Sequence, residues 1–253
     1  MAQEMNSIQI FGISKLAELR TGDDLPRLLL DGAARAGVRP KERDILVVTS
    51  KAISKVEGRV VDIRCVIPSR FAREISPLIQ KDPRVTELIL AESKRIVRMV
   101  RGLLITETRH GFICANAGLD QSNIAKNYAV LLPLDPDKSA KQIRRAIRKE
   151  TGVNLAVVVS DTFGRPWREG QTDVAIGVAG LDPLLDYRGK KDRFGNELRV
   201  TVIAVADELT SAAELVMGKM KNTPAAIIRG FDYLPGNTSA HKLVRSARRD
   251  IFR

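Results

Sequence analysis

The strongest constraint on the fold is one unbroken apolar run at 155–159, which reads Leu-Ala-Val-Val-Val. A strand that is apolar at every position, without alternation, is buried on both faces of its sheet. A helix predicted over 139–150 precedes the run, with its apolar residues on one face and Gly152 as its C-cap. The sequence therefore predicts an amphipathic helix that leads into an interior strand of a sheet.

The rest of the chain mixes predicted helices and strands without a repeat. Helices are predicted over 25–36, 69–80, 82–93 and 208–217. Strands are predicted over 8–11, 44–49, 95–100, 103–108, 111–116, 173–178, 198–204 and 225–229. The short turns between the three strands of 95–116 predict an antiparallel meander. We expect an α+β (mixed α/β) fold with mixed or antiparallel sheets, forming a single module over 1–253 with two intimate lobes, 1–130 and 131–253.

Charge is the next constraint, and it concerns function. The chain has 42 Lys and Arg against 30 Asp and Glu, a net charge of +12, which suits nucleic acid, small polyanionic substrates or a solvated basic face. Aromatic residues make up only 4% and are scattered, so the stacking platforms of single-strand binders are missing. No apolar run is long enough to span a membrane, and the first residues lack a signal-peptide pattern. We expect a cytoplasmic protein with no membrane partner.

Several catalytic classes are excluded by missing residues and motifs. The sequence has no P-loop, no dinucleotide-binding glycine pattern and no nucleophile elbow. With two histidines and two cysteines in the whole chain, a poly-His or cysteine-rich zinc centre is excluded and a Ser-His-Asp triad is disfavoured. Any catalysis must therefore use carboxylates, Lys and Arg, hydroxyls and a hard metal ion.

Two aspartates are candidates for that metal because of their position. Asp120 follows the predicted strand 111–116, and Asp161 follows the apolar run 155–159, with Thr162 next to it. Acids at strand ends lie at a sheet edge, where ligands bind, and a carboxylate pair suits Mg²⁺ or Mn²⁺ between phosphates. The alternative from spacing alone is that Asp161 caps a turn and that Asp120 forms an Asx-turn.

Three polar, glycine-bearing stretches accompany these acids, at 50–59, 164–171 and 187–195. The first alternates hydroxyls with lysines, as expected of a loop that folds over phosphates. The second holds the only Trp between two arginines, and the third is a basic loop between strands. Each alone fits a solvated charged turn, but together with the two acids they favour a site for anionic ligands.

At these same residues the chain resembles the coenzyme F420-0:L-glutamate ligases, also called F420 γ-glutamyl ligases. The resemblance rests on ordered blocks that run nearly end to end. These blocks are 21–24 (Thr-Gly-Asp-Asp), 49–59, 116–123 (Asn-Ala-Gly-Leu-Asp-Gln-Ser-Asn), 132–137, 160–168 (Ser-Asp-Thr-Phe-Gly-Arg-Pro-Trp-Arg), 206–209 and 217–219.

The resemblance implies a GTP-dependent ligase for an acid and an amino acid. In that family a carboxylate of F420-0 takes the γ-phosphate of GTP, and the amine of L-glutamate displaces the phosphate, in an α-linked and then a γ-linked addition. It also implies Mg²⁺ or Mn²⁺, with K⁺ left open, and an intertwined homodimer with a family-specific fold. Activating a carboxylate in this way needs cations to hold anions together and no nucleophilic side chain.

The resemblance also assigns roles by position. Asp120, Asp161 and Thr162 would bind metal. The nucleotide would contact Ser14, Lys15, Leu16, Ala17, Ser50, Lys51, Lys55, Asn123, Glu214, Met217, Gly218 and Lys219. This chain departs from the family pattern after Met217-Gly218, where Lys219 replaces glycine or an acid. From the charge alone we assign Arg165, Arg168, Lys190 and Arg193 to the anionic F420 precursor or to glutamate.

Two other functions stay open at this point. A basic nucleic-acid-binding protein without catalysis would use the helix near 138–149 and the basic C-terminal tail. A related ligase would join glutamate to a different carboxylate. Asp120 and Asp161 favour a ligase over nucleic-acid binding, because bare carboxylates repel phosphates whereas a metal site depends on them.

Overall fold

The computed structural model describes residues 7–250. Its α-helices are α1 (Leu25–Arg35), α2 (Ser50–Val56), α3 (Arg70–Ile75), α4 (Pro83–Ala91), α5 (Pro136–Thr151) and α6 (Val205–Met217). Its strands are β1 (Gln9–Ile13), β2 (Ile45–Thr49), β3 (Val60–Asp62), β4 (Ser93–Val100), β5 (Leu103–Thr108), β6 (Ile113–Ala115), β7 (Tyr128–Val130), β8 (Ala156–Arg165), β9 (Arg168–Ala179), β10 (Leu185–Asp186), β11 (Val202–Ile203) and β12 (Ala225–Arg229). The expected α+β class is confirmed.

A five-stranded mixed sheet organises the chain, in the order β1-β12-β2-β8-β9. β2 and β8 are parallel, with Val47 opposite Val158, and the other pairs are antiparallel. The sheet takes β1 and β2 from before residue 130 and β8, β9 and β12 from after it. Residue 130 is therefore not a boundary between separate sheets.

The sheet is covered on both faces, as the apolar run predicts. Val157 and Val159 pack with α1 and α5 in one apolar core, whereas Ala156 and Val158 pack with α6 in a second core on the other face. Each fully buried valine stabilises the fold by about 1.5–3 kcal/mol relative to an exposed one. The interior position of this strand is confirmed.

Helix ends follow the local capping signals. The Asp24 side chain accepts a hydrogen bond from the backbone N–H of Arg27 at the start of α1. At the start of α5 the Asp135 side chain accepts a hydrogen bond from the backbone N–H of Lys138. Gly152 ends that helix with a φ of 75°, which glycine adopts without strain. These caps explain why the bounds predicted for α1 and the predicted end of α5 lie close to those observed, whereas α5 begins at Pro136, three residues before the predicted start.

Three small sheets lie beside the main one. β4, β5 and β6 form the predicted antiparallel meander, and β3 pairs with β7 and β10 with β11. A third apolar core underlies this part, with Ile79, Ile89 and Leu104 at its centre. No helix between residues 7 and 250 is both long enough and apolar enough to span a bilayer.

Several predicted elements are wrong in type or extent. Residues 50–56 form helix α2 instead of a loop, because Thr49 caps the helix through the N–H of Ala52 and its first turn packs under β2. The predicted helix 69–80 is helical only as α3 and then continues as turns. The predicted strand 198–204 is reduced to the two residues of β11.

Candidate active site

Asp161 lies inside strand β8 and not at its end. β8 continues to Arg165 because its polar second half pairs with β9 in a long hairpin, in which Asp161 faces Val174 and Thr162 faces Asp173. The strand is therefore longer than the sequence predicts. The alternative in which Asp161 caps a turn is also wrong. A register shift between Val159 and Ser160 separates the apolar half from the polar half, and such bulges change the direction of side chains beside active sites.

The Asp161 carboxylate is held by helix α2. Because β2 and β8 are parallel, with Thr49 opposite Ser160, the first residue of α2 lies beside Asp161, and Ser50 Oγ donates to Asp161 Oδ1 at 2.7 Å. Burial, together with the negative charges of Asp173 and Asp120, raises the pKa of Asp161 to about 7, against the lowering effect of the Ser50 hydrogen bond. The ionised carboxylate is thus incompletely compensated, which is the condition that a bound cation relieves.

Asp120 contacts the same first turn of α2, through Lys51. Its Oδ2 lies 2.7 Å from Lys51 Nζ, and its Oδ1 accepts from the backbone N–H of Ser122 at 2.6 Å. Although burial acts to raise it, these hydrogen bonds bring the pKa of Asp120 below its ordinary value. The Asx-turn expected as an alternative is therefore present, and it orients a carboxylate that already has a cationic partner.

Asp173 is a third carboxylate of this cluster and was not predicted from the sequence. It is 3% exposed, and its Oδ1 accepts from Thr162 Oγ1 at 2.6 Å and lies 3.9 Å from Lys219 Nζ. Lys219 Nζ also donates to Thr162 Oγ1. The available signal was a carboxylate at the start of the apolar run 173–178, where a buried charge requires a partner.

The residues assigned to the nucleotide surround this cluster in part. Lys55 Nζ contacts Glu18 Oε1 at 2.5 Å, which links α2 to the segment that follows β1. In that segment Lys15 has a φ of 58°, and Ser14 is half-buried and Ala17 exposed. The Leu16 side chain is buried in the core, which leaves its backbone for a ligand.

The segment after α6 closes the other side. Asn123 Nδ2 donates to the backbone carbonyl of Lys219 at 3.1 Å, which ties this segment to the Asp120 turn. The Met217 side chain is buried in the core and Glu214 is half-buried, and Gly218, with a φ of 54°, ends the helix. At Met217 only the backbone is thus available to a nucleotide.

The four basic residues assigned to the substrate have contacts of their own. Arg165 and Arg168 face each other at the tip of the β8–β9 hairpin, four residues from Asp161, or about 13 Å along an extended strand. Lys190 lies over the Tyr187 ring and Arg193 over the Phe194 ring, with the cations 5.0 and 4.5 Å from the ring centroids. Their substrate role stays a prediction.

Comparison of this sequence with known proteins identifies its family. A family model described as F420-0:gamma-glutamyl ligase matches residues 13–230. The chain belongs to this family. It is 44% identical over 241 residues to the coenzyme F420:L-glutamate ligase of Methanopyrus kandleri, over 93% of this chain and 94% of that protein. It is 42% identical over 249 residues to the enzyme of the same name from Methanothermobacter thermautotrophicus, over 97% and 99%.

The divalent ion implied for an F420-0 ligase can be tested against the side chains present. Across residues 7–250, no three His, Cys, Asp or Glu side chains come close enough to hold a metal ion by themselves. Mg²⁺ does not require that, because it is bound through one or two carboxylates together with substrate phosphates and water. Asp120 and Asp161, with the incompletely compensated charge of Asp161, fit such an ion when phosphates complete its coordination.

Proposed function

We propose that this chain is a GTP-dependent ligase that adds L-glutamate to F420-0 and then adds a second, γ-linked glutamate. The observation that carries the proposal is the buried Asp161 carboxylate, whose pKa is raised to about 7 beside Asp120 and Asp173, with Lys51 and Lys219 at the rim. Clustered acids flanked by ammonium groups suit a metal-bound polyphosphate. The relatives named as coenzyme F420:L-glutamate ligases supply the substrates.

The proposed reaction has two steps. A carboxylate oxygen of F420-0 attacks the γ-phosphorus of GTP, the bond to the β-phosphate oxygen breaks, and GDP leaves. The deprotonated amine of L-glutamate then attacks the acyl carbon of the resulting acyl phosphate, and inorganic phosphate leaves with the former carboxylate oxygen. Both steps join anionic groups, so charge neutralisation and positioning supply most of the catalysis.

Each residue of the cluster has a defined part in this scheme. Asp120, Asp161 and Thr162 would hold Mg²⁺ or Mn²⁺, which supplies positive charge to the phosphates when it is bound. Ser50 orients Asp161 through the 2.7 Å hydrogen bond. Lys51 pairs with Asp120 in the structure, and its ammonium would donate to a phosphate oxygen of the bound nucleotide.

A set of incubations tests this function. Purified protein is mixed with GTP, Mn²⁺, L-glutamate and F420-0, and the products are read by mass spectrometry, with single omissions of each component and with NaCl in place of KCl to test for K⁺. We expect F420-0 to gain one and then two glutamates, with one GDP released for each.

A matched pair of variants assigns the activity to the site. Asp161→Asn should abolish GDP release, whereas Asp31→Asn, at an exposed pair on α1, should leave it unchanged. The absence of any glutamate adduct with the wild-type chain would refute the proposal. GDP release with another carboxylic acid but not with F420-0 would favour the related ligase instead.

A further inference from the structure

The Lys219 ammonium contacts the acidic cluster from its rim. It donates to Thr162 Oγ1 and lies 3.9 Å from Asp173 Oδ1. The Thr162 hydroxyl in turn donates a hydrogen bond to Asp173 Oδ1. One lone pair of Thr162 is therefore occupied by the ammonium, and the hydroxyl hydrogen by Asp173.

The backbone of Lys219 is held in place from two directions. Helix α6 ends at Met217, and Gly218 turns the chain with a φ of 54°. Asn123 Nδ2 then donates to the Lys219 carbonyl at 3.1 Å, so the lysine is tied to the turn that carries Asp120. The direction of the side chain into the cluster is thus set by anchored backbone as well as by its own ion pair.

The pairing differs in kind from an exposed salt bridge. The side chain of Lys219 is 59% exposed, but that of Asp173 is only 4% exposed. A charge buried to that extent is stable only with a cation or donors close to it. Lys219 provides a full positive charge at the position where Asp173 and Thr162 would otherwise offer two oxygen ligands to a hard metal ion.

We propose that Lys219 is a built-in cation of the site, whose ammonium takes the place of a metal ion between Asp173 and Thr162. A single divalent ion then binds at Asp120 and Asp161, with the remaining lone pair of Thr162 as its further protein ligand, so the chain holds one ion. This inference rests on the metal site of the proposed function and adds the number of ions and the residue that limits it.

Binding of Mn²⁺ to the protein with a non-hydrolysable GTP analogue, which supplies the phosphates that complete the coordination, tests the inference without any measurement of activity; a titration of the analogue alone is subtracted. Free Mn²⁺ is followed by electron paramagnetic resonance while up to several equivalents are added. We expect one bound ion for the wild-type chain and one for Lys219→Arg, which keeps the charge. Lys219→Gln removes the charge and adds an oxygen ligand, and it should bind two ions.

The double variant Lys219→Gln/Asp173→Asn should return the count to one, since the second ion depends on the Asp173 carboxylate. Thermal melts verify that each variant is folded. If the double variant does not fold, the number of ions bound by Lys219→Gln decides whether the inference holds. Two ions on the wild-type chain, or one on Lys219→Gln, would overturn the inference while leaving the metal site standing. No Mn²⁺ on any chain would overturn the metal site and the inference together.

Discussion

Replacing Asp161 by asparagine should make the metal-free protein more stable at pH 8. Burial raises the pKa of Asp161 from 3.8 to about 7, so the folded chain binds this proton more tightly than the unfolded chain. When an acid has a higher pKa in the folded protein than in the unfolded chain, its protonated form stabilises the fold. This stabilisation is complete at pH values below the pKa of the unfolded chain and is lost as the pH rises through the pKa of the folded protein. Asparagine has no such loss, and its side-chain oxygen can still accept from Ser50.

The magnitude follows from the difference of the two pKa values. A difference of about three units at ~1.36 kcal/mol each gives a ceiling of about 4 kcal/mol at pH 8. About 2–3 kcal/mol of this arises between pH 5 and pH 8. The stability gap between Asp161→Asn and the wild-type chain should therefore widen by that amount over this range.

Urea unfolding in EDTA at several pH values measures the gap, and Asp44→Asn is the control. Asp44 is also buried, at 1% exposure, but its carboxylate accepts from Arg229 at 2.7 and 2.8 Å. Removing that charge should destabilise the fold by about 2–3 kcal/mol at pH 8, opposite in sign to the change at Asp161. If the stability of Asp161→Asn relative to the wild-type chain does not change with pH, or if the variant is less stable at pH 8, Asp161 is not an incompletely compensated charge.

Three further predictions concern the nucleotide, the fold and the assembly. Lys51→Met should weaken GTP binding 10–100-fold in calorimetry, because a charged hydrogen bond is lost; an unchanged Kd would remove Lys51 from the nucleotide site. Gly177→Ala should destabilise the chain by several kcal/mol in urea unfolding, because a Cβ there would lie 2.5 Å from the backbone of Pro136; a loss below 1 kcal/mol would contradict this packing. Light scattering should give twice the mass of one chain, and a single-chain mass would contradict the expected homodimer.

The sequence predicts best where one local signal decides the structure. The unbroken run 155–159 can satisfy its apolar side chains only in an interior strand. Asp24 and Gly152 supply caps that no competing contact overrides. For that reason the interior position of β8, the bounds of α1 and the end of α5 are predicted correctly from the sequence.

The wrong predictions fall where tertiary pairing overrides local preference. Helix α2 is short and contains two serines, a residue type that favours turns in isolation, but both Ser50 and Ser54 are buried in the fold. The polar half of β8 is a strand only because β9 pairs with it. Asp173 entered no sequence motif, and its role follows from its register opposite Thr162.

Assignment of the metal ligands from the sequence depended on the family resemblance more than on spacing. Spacing alone left Asp120 and Asp161 as turn aspartates, and Asp120 does form an Asx-turn. What spacing could not give is that residues 50 and 51, adjacent in the chain, each contact one of these carboxylates. The contact of Ser50 with Asp161 arises from the parallel pairing of β2 with β8.

The most direct test of the proposed chemistry follows one oxygen atom. F420-0 labelled with ¹⁸O in its reacting carboxylate is incubated with the protein, GTP, Mn²⁺ and L-glutamate, and the released phosphate is analysed by mass spectrometry. Transfer through an acyl phosphate predicts one ¹⁸O atom in the inorganic phosphate released by the first addition and none in GDP. The phosphate of the second addition is unlabelled, because its oxygen comes from the glutamate added first. Addition of the first glutamate with unlabelled phosphate, or with the label in GMP, would contradict the account.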